Sequence, residues 1–311
     1  MSKLRKSLLR AAVGLALLAG LVFFAHPEAL LRRLAEADPW WLLGGLLMAI
    51  ASNAVSAWRW RALAQWLGAD MALAAAGRWY FQAIGLNALL PGAVVGGDVY
   101  RALALARSGQ GRAASNYSVL LDRISGLWML CAMGGLGAAA CAGELAPWLH
   151  LAPGLLAALA VLASLAWLLL PFALLLGLRR RWLSLPGRWF APLEALAQGE
   201  DFVQRLLLQA VASALVQILS AAALACGAMA LGVFLAPAAW AFAMAPIFLM
   251  AALPVSVGGW GTREAAAALA LAPFGVSAAA AVGVGLIYGL YALAQGMLGA
   301  LAFGMPTRER T

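Results

Sequence analysis

The sequence predicts an all-α polytopic membrane protein, and three observations carry that prediction. Of its 311 residues, 65% are hydrophobic and 11% charged, too few charges to cover a soluble domain of this length. The charges are also bunched. None occurs at 145–178, 206–262 or 265–307, and each gap can hold the ~20 apolar residues that a spanning helix needs. Finally, the basic residues sit in short segments between apolar runs, where the positive-inside rule puts them. The formal net charge of +9 therefore reflects topology, and no nucleic-acid partner is expected.

Six full spans are predicted, at 8–25, 40–57, 124–142, 152–176, 206–232 and 277–304. The first follows the basic stretch MSKLRKSLLR without a small-x-small cleavage site, so it reads as an uncleaved span rather than a signal peptide. Pro27, Pro39, Pro153 and Pro306 fall at or near span ends, where a missing backbone donor is tolerated. Trp40 and Trp41 suit an interfacial position. Pro27–Asp38 reads as a short amphipathic connector on the outer surface.

Two further apolar stretches, Trp79–Ala106 and Ala238–Ala272, are broken in the middle by Leu-Pro and Gly-Gly. Their arms of about 10–16 residues are short for a span, so both are predicted to be re-entrant helical hairpins. Counting the hairpins as spans gives eight. Irregular backbone at membrane depth survives only inside protein or beside a water-filled cavity, so each hairpin is a candidate cavity lining. With the N-terminus in the cytoplasm, the cytoplasmic segments hold 17 basic residues against Arg32, Arg33 and Arg263 outside. Arg101 lies within the first hairpin and is not counted. The expectation is a bacterial inner-membrane protein with both termini cytoplasmic.

The two broken segments resemble each other. Leu90-Pro91-Gly92-Ala93-Val94-Val95-Gly96-Gly97-Asp98-Val99-Tyr100-Arg101 and Leu253-Pro254-Val255-Ser256-Val257-Gly258-Gly259-Trp260-Gly261-Thr262-Arg263-Glu264 both contain Leu-Pro, then Val-Gly-Gly, then three residues, then Arg. Gly-Gly and Arg are each offset by 162 positions, about half the chain. A single membrane domain, 1–311, is thus predicted to contain one repeat at about 8–142 and another at about 152–304. An odd number of spans in the first half inverts the second. Paired broken segments in inverted halves point to a transport site.

The hairpin backbone set is Pro91, Gly92, Gly96, Gly97, Pro254, Gly258, Gly259 and Gly261, where Pro removes a donor and Gly frees the backbone, so that helices stop there. Stopped helices expose amides that attract phosphate or carboxylate. Arg101 and Arg263 each follow Gly-Gly by about one helical turn and can hold a lipid phosphate in bidentate fashion. Asp98 can act with Arg101 or pair with it at i,i+3. Asn87 and Tyr288 complete the substrate-binding set with Asp98, Arg101, Arg263 and Glu264. Asp122, Arg123 and Glu264 are candidates for proton coupling or ion pairing, since acids in a membrane carry protons or pair with arginine. Asn53, Gln82, Gln209, Gln217, Tyr291 and Gln295, and alternatively Asn87 and Tyr288, read as interhelical hydrogen-bonding residues, and Gly285-x-x-x-Gly289 as a close helix contact. Cys131, Cys141 and Cys226, odd in number and within apolar runs, read as packing residues. No metal site and no cofactor is expected.

LPGAVVGGDVYRALALAR at 90–107, LLDRISGL at 120–127 and LPVSVGGWGTREAAAALALAPFGVS at 253–277 together resemble the transmembrane flippase domain of lysylphosphatidylglycerol synthases, a family that includes stand-alone members. The resemblance covers roughly residues 10–305. It implies flipping of an aminoacylated phospholipid or another lipid-linked cargo, and it points to Asp98, Arg101, Asp122, Arg123, Arg263 and Glu264. The chain ends at Thr311 without a soluble aminoacyl-transferase domain, so synthesis of lysyl-lipid is not expected of it. The sequence carries no Walker A pattern and no recognisable catalytic set. A lipid flippase, not an enzyme, is the expected function. A non-catalytic subunit of a lipid-synthesis enzyme and a small-solute transporter are the alternatives.

Overall fold

A computed structural model of the protein describes residues 19–20, 23, 27–89, 94–183, 191–253, 256 and 258–303. These form twelve α-helices and one 3-10 turn, with no strand among the described residues. In chain order the helices are α1 (Pro27–Ala35), α2 (Pro39–Trp66), α3 (Leu73–Leu89), α4 (Val94–Arg107), α5 (Arg112–Ala140), α6 (Ala142–Leu149), α7 (Pro153–Arg179), α8 (Ala191–Gln198), α9 (Phe202–Met229), α10 (Pro237–Ala252), α11 (Thr262–Leu271) and α12 (Ala278–Leu301). The chain is an all-α polytopic membrane protein.

Five helices, α2, α5, α7, α9 and α12, are long and apolar enough to cross a membrane. They match five of the six predicted spans. The sixth, at 8–25, lies outside the described residues apart from 19, 20 and 23. Two boundaries need correction. The span predicted to end at 57 continues to Trp66, and the one predicted to start at 124 begins at Arg112. In both cases the extension carries a charged residue, Arg59 or Asp122, that ends an apolar run but is ion-paired inside the fold.

Both broken stretches are helix–break–helix units whose arms pack together. At ~1.5 Å per residue the four arms span about 15–26 Å, short of the ~30 Å hydrocarbon core. In the first unit, Gly97 lies so close to α3 that a Cβ there would meet the Ala83 carbonyl and the Asn87 side chain. Tyr100 donates to Gln82 Oε1. Gly96 and Gly97 sit within α4, so they do not end a helix as the sequence had led us to expect. Gly97 lets two helices touch. Leu90, Pro91 and Gly92 lie outside the described residues. In the second unit the expectation of a Gly-driven break fits. Gly258, Gly259 and Gly261 have φ of 61°, 76° and 84°, a region that favours glycine. Pro254 lies outside the described residues.

The packing between the halves is reciprocal. The second spans, α2 and α9, pack on each other. The first hairpin's leading arm, α3, packs on α12, the last span of the second half. The second hairpin's leading arm, α10, packs on α5, the last span of the first half. Glycines permit these contacts: a Cβ at Gly299 would meet the Phe81 carbonyl, and one at Gly137 would meet the backbone of Ala241 and Phe242. Amphipathic α1 lies against α12, with Leu30 buried beside Ala279 and Val282, and Arg33 donates to the Leu231 carbonyl.

Candidate functional site

The first half builds a continuous chain of five charges. Asp122, on α5, is its hub. Its Oδ1 accepts from Arg59 of α2 at 2.8 Å and its Oδ2 from Arg101 of α4 at 2.8 Å. Arg101 also reaches Asp98, one turn earlier, at 2.9 Å. Arg123 closes the chain with a fork on Asp98: its Nε lies 2.9 Å from Oδ2 and its Nη2 2.9 Å from Oδ1. Three guanidiniums thus share two carboxylates, leaving one positive charge in excess. Bidentate pairing of this kind is the geometry that planar guanidinium suits.

Exposure rises along the chain. The Arg59, Asp122 and Arg101 side chains are 2–4% exposed, Asp98 22% and Arg123 49%. Arg123 emerges on a face of α5 that shows Leu120, Ile124 and Leu127, beside exposed Val99 and Leu103 of α4. The outer end of the ion chain therefore opens among the leucines of a helix fit to cross a membrane.

Aromatic groups pack on the middle of the chain. The Arg101 guanidinium lies 5.0 Å from the Trp60 ring and 4.7 Å from that of Tyr80, in cation–π range. Trp60 donates to Ser118. Arg59 also donates to Ser213 and to the Asp122 carbonyl. Its guanidinium passes Gly126, where there is room for it. Arg59 belongs to the site, although the sequence had placed it among the topological arginines. Its signal was its position immediately after an apolar run, inside Trp58-Arg59-Trp60.

The second half holds a smaller centre. Arg263 Nη2 lies 2.6 Å from Glu264 Oε1, and the Gly261 amide donates to Glu264 Oε2 at 2.6 Å. The Trp260 ring lies 4.8 Å from the guanidinium. Arg263 is 3% exposed and Glu264 0%. Arg263 is thus paired and stacked in the protein interior rather than exposed at its surface. Gly285 and Gly289 of α12 lie against Glu264 and Arg263: a Cβ at Gly289 would overlap the Arg263 guanidinium, and one at Gly285 would press tightly on Glu264. The expected close contact at that glycine pair is therefore what encloses the centre.

Asn87 and Tyr288 stand apart from both arginines' polar contacts. Asn87 Oδ1 accepts from the Gly97 amide at 2.9 Å, tying the first hairpin together. Tyr288 packs on Phe248, with ring centroids 4.8 Å apart. Between the halves runs a seam of uncharged polar groups. Ser52 bonds Ser220 at 2.8 Å, Asn53 bonds Gln295 at 2.6 Å, and Gln217 donates to the Gly126 carbonyl.

No match is found among curated proteins. A family model described as "Lysylphosphatidylglycerol synthase TM region" matches residues 11–299, nearly the whole sequence. That interval contains both arginine centres and both helix–break–helix units, and the chain belongs to the family of the lysylphosphatidylglycerol synthase transmembrane region.

Proposed function

We propose that this protein is a flippase that moves a phospholipid or lipid-linked head group across the bacterial inner membrane. The observation that carries the reading is the five-charge chain, which runs from the protein interior to Arg123 on a face of exposed leucines. Ionised groups within membrane helices are costly and mark substrate or ion pathways. A head group arriving sideways from the bilayer would meet cationic Arg123 first, while its acyl chains stay against Leu120, Ile124 and Leu127. Arg101 lies deeper along the same route. The reciprocal packing of the two halves supports an inverted repeat, the architecture of many alternating-access transporters. Arg263 is assigned the corresponding role in the second half. Both Arg101 and Arg263 are enclosed, so access to either requires helices to move.

Reconstitution tests the proposal. The purified protein is placed in liposomes with fluorescent phosphatidylglycerol, phosphatidylethanolamine or phosphatidylcholine, and dithionite reports exposure at the outer leaflet. Wild type should accelerate flipping, and folded Arg101→Ala and Arg263→Ala variants should lose most of it. A wild-type rate equal to that of empty liposomes for every lipid would remove the reading and leave the role of a non-catalytic subunit in its place.

A further inference from the structure

Asp98 sits where a phosphate would sit. Its carboxylate takes donors from two guanidiniums, at 2.9 Å from Arg101 Nη2 and 2.9 Å from both Arg123 Nε and Arg123 Nη2. A phosphodiester presents the same features: one negative charge and two equivalent oxygens that accept forked arginine bonds. The carboxylate is also the more exposed of the two acids in the five-charge network, whereas Asp122 is sealed between Arg59 and Arg101. Displacing Asp98 would leave Asp122 bridging Arg59 and Arg101 with one positive charge in excess. A second unpaired positive charge then falls on Arg123, at the lipid-facing end.

We infer that Asp98 is a built-in stand-in for the cargo, holding Arg101 and Arg123 until the phosphodiester of a membrane lipid takes its place on Arg123. This rests on the lipid-transport reading and names the group recognised. The carboxylate competes with the ligand for the same donors, so it weakens resting affinity. It also keeps two cations paired when no lipid is bound, which avoids an uncompensated charge in the membrane. The recognised chemistry is a singly charged phosphodiester, and its source is the bilayer, because Arg123 opens among Leu120, Ile124 and Leu127.

The test is binding of fluorescent phosphatidylglycerol to the full chain in nanodiscs of phosphatidylcholine. Asp98→Asn removes the competing charge and keeps the shape. It should bind roughly tenfold more tightly than wild type, the scale of an ion-pair competitor removed. The gain should vanish in the Asp98→Asn/Arg123→Ala double variant. Arg123→Ala alone, at a half-exposed position, should weaken binding by a similar factor, which keeps the idea testable if Asp98→Asn does not fold. Unchanged or weaker binding by folded Asp98→Asn, or wild-type affinity in Arg123→Ala, overturns the inference. Inorganic phosphate and water-soluble glycerophosphoglycerol serve as competitors. Full displacement by either at millimolar concentration would assign the site to a soluble anion and overturn the lipid source. Failure here is separable from failure of the transport reading. Flipping by wild type with an indifferent Asp98→Asn removes only the stand-in. The expected binding pattern without flipping removes only transport.

Discussion

Asp122 decides whether three helices hold together, because α2, α4 and α5 each contribute a charged group and this carboxylate joins them. The cost of leaving a buried charge unpaired exceeds the net worth of the pair itself. Asp122→Asn is therefore expected to lower stability by about 3–5 kcal/mol, read as a depressed melting temperature of the purified protein in detergent. Arg205→Gln removes an exposed i,i+4 pair with Asp201 and should leave melting unchanged. Equal melting of Asp122→Asn and wild type would mean that the chain is not held as described. The same residue shows what the sequence reveals and what it withholds. Asp98, Arg101, Asp122 and Arg123 stand out in sequence as charges at the ends of apolar runs. The i,i+3 pair of Asp98 with Arg101 is legible too, but the long-range pairing is not, since Asp122 meets Arg59 across 63 positions and Arg101 across 21. Arg59 looked like an ordinary loop arginine because nothing local marks its partner.

At the scale of the helix, the glycines divide into those that permit contact and those that face open space. A methyl at Gly299 would collide with the Phe81 carbonyl, the contact that seats α3 on α12, whereas Gly77 has nothing within 4 Å. Gly299→Ala is expected to cost about 1–3 kcal/mol through overpacking, and Gly77→Ala, also helical, to be neutral or stabilise by up to ~1 kcal/mol. Melting of the two variants side by side is the measurement, and a harmless Gly299→Ala would contradict the close α3–α12 contact. Helix existence was legible wherever an apolar run was unbroken, as in α7 and α9. Helix ends were legible only where Pro or Gly marked them. The early start of α5 and late end of α2 were hidden because hydropathy treats a charge as a stop, and only tertiary pairing makes it tolerable. Similarly, the repeated Val-Gly-Gly predicts two equivalent breaks. The structure uses Gly97 for helix contact and Gly258 and Gly259 for left-handed backbone, since the roles depend on what packs against each.

For the whole molecule, the reciprocal arrangement gives the transport reading a mechanical consequence. The two halves meet through α2 and α9, and an alternating site exposed first to one side and then to the other requires the halves to shift against each other. The Ser52 and Ser220 hydroxyls lie 2.8 Å apart across that contact. Cysteines at both positions are close enough for a disulfide after a small adjustment. Cys131, Cys141 and Cys226 are free thiols, so the pair is introduced with those three replaced by Ser. Oxidation of the double variant should stop flipping while phosphatidylglycerol binding persists, and reduction should restore the rate. Undiminished flipping in the fully cross-linked protein would mean that α2 and α9 form a fixed axis. The motion would then belong to the hairpin arms, α3 with α4 and α10 with α11, moving against a static pair. Loss of both binding and flipping would instead show that the cross-link distorts the seam that also carries Asn53, Gln295 and Gln217.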